Sequence, residues 1–184
     1  MIASPSTPRT PAPLFLMLGD SLVAGYNWQQ RIPQFTIKNC GVPGATTDEL
    51  LSSLPKLKTY YSSARMIMVM IGTNDLVMEH YGFIEDLKKI IVFLTQNFAG
   101  TEVLVNSLLP IHLRHLGKDT IPRINTQIAE ICRKTGSCYV DVYSRFVQNS
   151  GNLFQLDGVH ITEEGYQLWA RTVLEHIAFM LEND

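Results

Sequence analysis

Ser21 is the residue around which the chemistry of this chain can be built. It follows Leu14-Phe15-Leu16-Met17-Leu18, five apolar residues that read as a buried strand, and the break Gly19-Asp20. A serine there stands at the carboxyl end of a strand and at the start of a helix-compatible segment. Open α/β sheets hold their ligands at such ends, and the free N–H groups of a helix N-terminus favour developing negative charge. A hydroxyl needs a base to become a nucleophile, and the base needs a group to orient it. Asp157-Gly158-Val159-His160 contains both. Three extended residue steps span about 10 Å, so the carboxylate reaches the imidazole only through a turn, which Gly158 permits. A carboxylate on Nδ1 sets the tautomer and leaves Nε2 free to accept a proton. Attack on an acyl carbon also requires donors for the oxyanion. The candidates are the Ser21 N–H, the N–H of Gly44 in the turn-forming run Gly41-Val42-Pro43-Gly44-Ala45, and the side-chain amide of Asn74 in Gly72-Thr73-Asn74-Asp75.

The elements that must carry these residues alternate between strand and helix. Strands are predicted at about 14–18, 35–40, 65–71, 102–108 and 137–142, the third apolar on both faces as a central parallel strand should be. Helices are predicted at 22–30 with a distortion at Gly25, at 47–57 with a Thr46/Glu49 capping box and a stop or kink at Pro55, and at 83–98. Ile121, Ile124, Ile128 and Ile131 mark another helix, with Pro122 in its first turn. Thr162 caps a last helix over 163–181. Residues 110–119 read as loop and 144–156 as loop or short helix. The alternation argues for α/β class: a three-layer α/β/α domain over 14–184 with a five-stranded parallel sheet. A flavodoxin-like order, 2-1-3-4-5, is chosen among the doubly wound options. In such a sheet the three polar breaks after the first three strands leave from one edge.

Composition narrows the partners. The 184 residues suit one domain, and a formal net charge of −2 with mixed signs gives no basic stripe for nucleic acid. No apolar run approaches the roughly 20 residues of a membrane span. The first 13 residues, rich in Pro, Ser and Thr, have no apolar h-region and read as a flexible lead-in, so a cytoplasmic location is expected. Cys40, Cys132 and Cys138 show no metal spacing and read as reduced thiols, although a Cys132–Cys138 disulfide is conceivable. His112 and His115 read as surface or rim residues. Asp20 and Asp75 read as bonding backbone in their own loops. Trp28 either lines a pocket or packs in the core.

Taken alone, Ser21 would read as a helix cap and Asn74 as a bracket between loops. Gly19-Asp20-Ser21-Leu22, Asn39 followed by Gly44, Gly72-Thr73-Asn74-Asp75 and Asp157-Gly158-Val159-His160 together resemble the SGNH hydrolases, also called the GDSL esterase/lipase family, from about Leu14 to the final helix. The resemblance implies Ser21 as nucleophile, His160 as general base and Asp157 as its orienter. It implies an oxyanion hole of Ser21 N–H, Gly44 N–H and Asn74, and no metal or organic cofactor. The Gly-x-Ser-x-Gly pattern of the α/β-hydrolases is absent around Ser21. The expected activity is ester hydrolysis through an acyl-enzyme. The expected substrate is a small or medium acyl ester or thioester, as for a lysophospholipase, thioesterase or arylesterase. Apolar residues in 76–81 and 108–116 are the expected acyl pocket. A carbohydrate O-deacetylase is the rival within the family. A reading from another class is a non-catalytic flavodoxin-like module holding a phosphate or nucleotide, though no Gly-x-Gly-x-x-G or P-loop is present.

Overall fold

Apolar strands that cannot face water on either side need helices above and below them, and the computed structural model, which describes residues 11–182, has that arrangement. Its strands are β1 (Leu14–Gly19), β2 (Thr36–Gly41), β3 (Met66–Met70), β4 (Glu102–Asn106) and β5 (Cys138–Val140). All pairs are parallel, in the order β2-β1-β3-β4-β5. β3 is buried along its whole length, whereas the edge strand β2 is half-exposed to exposed. The sequence-predicted lead-in over 1–13 lies outside the described residues up to residue 10. Ala12 and Pro13 lie against β2, their carbonyls accepting from Thr36 Oγ1 at 3.2 Å and Thr36 N at 2.9 Å.

The helices are α1 (Ser21–Ala24), α2 (Trp28–Arg31), α3 (Thr47–Tyr60), α4 (Thr73–Val77), α5 (Ile84–Asn97), α6 (Thr120–Thr135), α7 (Val142–Val147) and α8 (Glu163–Glu182). α3, α5 and α6 pack in a row on one face, while α8 packs against α7 and β5. Buried Trp169 of α8 donates its indole N–H to Asn106 at the end of β4, at 2.9 Å. Its ring also meets Trp28 edge-on, with centroids 4.9 Å apart. Trp28 is therefore a core residue, its own N–H held by the Val23 carbonyl at 2.8 Å.

The local structure departs from the sequence reading in three places. The helix expected over 22–30 is two short helices, because Asn27 caps a new one by accepting from the Gln30 N–H at 3.2 Å. The helix expected to stop or kink at Pro55 continues to Tyr60. Leu50 and Leu54 are buried while Pro55 faces solvent, so the carbonyl that loses its partner can be hydrated and core packing keeps the helix going. Residues 73–77 form a helix of five residues, entered through Gly72 at φ 118, too short to leave a periodic signal. All three described cysteines are free.

The register matters for function. Gly19 aligns with Gly41 on one side and with Met70 on the other. The ends of β1, β2 and β3 therefore coincide, and the segments carrying Ser21, Gly44 and Asn74 leave together at the point where the strand order reverses. Gly19 is required there: a Cβ would collide with the Met70 carbonyl and lie 2.5 Å from Val23 Cγ2.

Candidate active site

Asp20 starts the site by capping α1, its Oδ1 accepting the Leu22 N–H at 2.9 Å. Ser21 is then the first helical residue, so its N–H has no intrahelical acceptor. Its Oγ lies 3.1 Å from His160 Nε2, across 139 positions of sequence. His160 Nδ1 lies 2.6 Å from Asp157 Oδ2. Asp157 Oδ1 accepts the N–H groups of Val159 and His160, both at 2.9 Å. One carboxylate thus shapes the turn through one oxygen and orients the imidazole through the other. The hydrogen bond from His160, with those from the Val159 and His160 backbone, holds its carboxyl down at about 2, so it is ionised at any ordinary pH.

The Asp157–His160 turn is braced from two sides. Gly158 adopts φ 72, and its carbonyl accepts the His112 N–H at 2.8 Å. Phe154 and Ile161 form a short antiparallel bridge, and the His112 ring meets Phe154 edge-on at 5.5 Å. His115 Nε2 lies 2.9 Å from the Leu76 carbonyl. The loop carrying the two histidines therefore ties the His160 turn to α4, a bracing role that residue spacing alone did not reveal.

Two of the three candidate oxyanion donors, Gly44 and Asn74, are tied together at the neighbouring loop. Pro43 and Gly44 occupy the middle of a turn closed by Ala45 N–H to Val42 O at 3.0 Å, with Gly44 at φ 82, as a type II turn requires. Asn74 Nδ2 donates to the Ala45 carbonyl at 2.8 Å, which fixes its amide beside Gly44 and leaves one amide hydrogen over. Among the described residues, neither the Ser21 N–H nor the Gly44 N–H donates to the chain. Asn74 is thus a bracket between loops and is still available as a donor. Asp75 reinforces the junction: it is fully buried and accepts Thr47 N–H at 3.1 Å and Thr47 Oγ1–H at 2.8 Å, with His80 Nδ1 at 3.5 Å. Asp75 and Thr47 lie 28 positions apart, so no local pattern predicted the pair. Asn39 is structural, donating to the Val23 carbonyl at 2.9 Å and accepting from Gly41 N–H at 3.0 Å.

Asp20 carries the one buried carboxylate oxygen with no hydrogen-bond partner of ordinary geometry among the described residues, Oδ2. Burial is the largest influence and pushes the carboxyl up to about 6; the Leu22 N–H, the Thr73 hydroxyl and the charge of His160 oppose it. Between about pH 6 and 4 the folded chain takes up this proton, while the unfolded chain, titrating at 3.8, does not. Protonation therefore favours folding, and this group's contribution to stability rises as pH falls through 6 and levels off below 4. The gap corresponds to ~3 kcal/mol at most. Against Asp20→Asn, the wild-type Tm should gain about 5 °C on going from neutral pH to about pH 4.5. A Tm difference that does not change with pH would refute this.

A cavity of about 390 Å³ is lined by Gly44 together with Gly19, Cys40, Val42, Pro43, Ala45, Glu49, Leu50 and Ser53. The acyl pocket expected from 76–81 and 108–116 does not match it, since neither segment contributes to this lining. Pro110, Ile111, His112, Leu113 and Leu116 of the second segment line a separate cavity of about 240 Å³ with Ile121 and Tyr143, and Val77, Met78 and Tyr81 of the first are exposed, as are Val42 and Leu156. Among the described residues, no group of three or more His, Cys, Asp or Glu could hold a metal ion, and no helix is long and apolar enough to cross a membrane.

The class defined so far is a three-layer α/β protein with a hydroxyl, an imidazole and a carboxylate aligned at the carboxyl edge of its sheet. The family model of the GDSL-like lipase/acylhydrolase family matches residues 17–168, and the chain belongs to that family. None of the curated proteins matches it. Solved structures share the fold. One is a Streptococcus pneumonia protein named for platelet activating factor (24% identity, 93% of this chain and 86% of that one, TM-score 0.78). Another is a member of the lipolytic G-D-S-L family from Veillonella parvula DSM 2008 (22%, 88% and 96%, 0.77). A third is Axe2, an acetylxylan esterase from Geobacillus stearothermophilus (17%, 91% and 94%, 0.75).

Proposed function

We propose that this protein is a serine ester hydrolase working through an acyl-enzyme on a small or medium acyl ester or thioester. The observation that carries the reading is the 3.1 Å approach of Ser21 Oγ to His160 Nε2, with His160 Nδ1 2.6 Å from an ionised Asp157. Ser21 Oγ attacks the acyl carbon as its proton passes to His160 Nε2, and Asp157 stabilises the imidazolium. The carbonyl oxygen becomes an oxyanion facing the Ser21 and Gly44 N–H groups and the remaining Asn74 amide hydrogen. The carbon–oxygen bond to the alcohol then breaks, and His160 returns its proton to the leaving oxygen. Water then attacks the acyl-serine as its proton passes to His160 Nε2; the bond from the acyl carbon to Ser21 Oγ breaks, Oγ takes that proton back and the acid leaves.

The apolar cavity beside Gly44 suits the acyl half, and the exposed apolar residues at its edge of the sheet suit the approach of an apolar substrate. O-deacetylation of a carbohydrate is the second reading, favoured by the modest size of that cavity and by the likeness to an acetylxylan esterase. A fluorophosphonate probe separates both from a binding module. Wild type should label at one site, recovered by mass spectrometry on the peptide containing Ser21. Absence of labelling would remove the hydrolase reading and leave the module.

A further inference from the structure

The helix that carries Asn74, α4, has five residues. An isolated helix needs roughly 12–15 residues to persist in water, so the direction of α4 must be set from outside it. Two successive residues grip the segment that follows β2. Asn74 Nδ2 donates to the Ala45 carbonyl at 2.8 Å. Asp75 accepts both donors of Thr47, the N–H on Oδ2 at 3.1 Å and the hydroxyl on Oδ1 at 2.8 Å. Neighbouring side chains on a helix point about 100° apart, so the two clamps hold α4 from different directions. Either clamp alone would leave the helix able to turn about it.

The two clamps differ in kind. The Asn74 amide must serve twice, with one hydrogen on Ala45 and the other toward the oxyanion. An amide that anchored α4 unaided would follow every movement of the helix. The Asp75–Thr47 clamp has no such second duty, and both of its side chains are fully buried. Thr47 is the first residue of α3, where backbone N–H groups lack intrahelical acceptors and the helix dipole favours a carboxylate. A carboxylate accepts on both oxygens, whereas an amide there would turn its own hydrogens toward one of the Thr47 donors. Gly44 has a separate anchor: its turn is tied to β1 by the Val42 N–H on the Gly19 carbonyl at 2.9 Å. What the Asp75–Thr47 clamp adds is therefore the placement of Asn74.

We propose that Asp75 and Thr47 are positioning residues for the oxyanion hole: their buried clamp fixes α4 so that the free Asn74 amide hydrogen meets the oxyanion. The inference rests on the acyl-enzyme reading above and adds two residues that act through Asn74 without touching substrate. A donor turned slightly aside leaves the ground state as it was and loses stabilisation of the transition state. Loss of the clamp is therefore felt in kcat and spares KM.

The test is a double-mutant cycle between Thr47→Val and Asn74→Ala, read as kcat and KM for a short p-nitrophenyl ester. Active sites are counted by fluorophosphonate titration, so unfolded molecules drop out and a variant that folds poorly still reports. Thr47→Val removes the hydroxyl and keeps the N–H and the volume. It should lower kcat per site about tenfold, with KM changed by less than about twofold. Asp75→Asn should show the same pattern, and Thr47→Ser, which restores the hydroxyl, should return kcat to within about twofold of wild type. In the Asn74→Ala background, Thr47→Val should lower kcat by no more than about twofold further, because the group it positions is gone. A pair that only holds the fold would lower Tm and leave kcat per site at the wild-type value, which overturns the proposal. Equal losses of kcat in both backgrounds, or a loss confined to KM, overturn it as well. A wild type that takes up no fluorophosphonate, or turnover that survives Ser21→Ala, overturns the hydrolase reading instead.

Discussion

Ser21→Ala should lower kcat for a short p-nitrophenyl ester by about 10⁴-fold or more, with little change in Tm. The size follows from removing the atom that forms the covalent intermediate, so that only binding and oxyanion stabilisation remain. The small effect on stability follows from the geometry. The only hydrogen bond of Ser21 Oγ among the described residues is to His160, and the N-cap of α1 is Asp20, not Ser21. Removing the hydroxyl therefore leaves Asp20 Oδ1 on the Leu22 N–H and the start of the helix intact. Initial rates with thermal melts of the same samples check both halves. Residual turnover above about a tenth of wild type would remove Ser21 as nucleophile, and a fall in Tm of many degrees would show that the side chain holds the fold as well.

Asn74→Ala should lower kcat by about 10²–10³ while KM changes little. A donor aimed at the oxyanion acts on charge that exists only in the transition state, and losing one such donor costs ~3–4 kcal/mol. Asn74 has a second duty, its 2.8 Å bond to the Ala45 carbonyl. The variant also loses that bond, worth about 1 kcal/mol, so Tm should fall by about 2–4 °C. The two effects separate by readout: loosening of the turn alone would lower Tm and raise KM, whereas loss of the donor lowers kcat at saturating substrate. An Asn74→Ala enzyme with wild-type kcat would leave Asn74 as a bracket only.

How far the chain could be read in advance depended on how local each signal was. The apolar runs of β1 and β3 and the alternation of elements pointed to a parallel sheet, and its order agrees with the doubly wound choice. The Asp157–His160 pairing was legible because a glycine turn joins residues three apart. The Asn27 break, the persistence of α3 through Pro55 and the short helix α4 were not legible. In the first two a cap or buried neighbours outweighed local propensity, and the third is too short to leave a periodic signal.

The amino-acid sequence by itself determined the chemical types available at each break, Ser21, Gly44, Asn74, Asp157 and His160, and the strands that end beside the first three. Their residue types, strand endings and turn glycines are properties of short stretches. Only the tertiary structure decided that Ser21 meets His160 across 139 positions, that Asp75 ties α4 to Thr47, and that the apolar cavity lies beside Gly44 rather than under 76–81. Those outcomes depend on the register that ends β1, β2 and β3 together and on the docking of α8 through Trp169 onto Asn106. Such contacts arise from packing the whole core at once, so no window of the chain contains them.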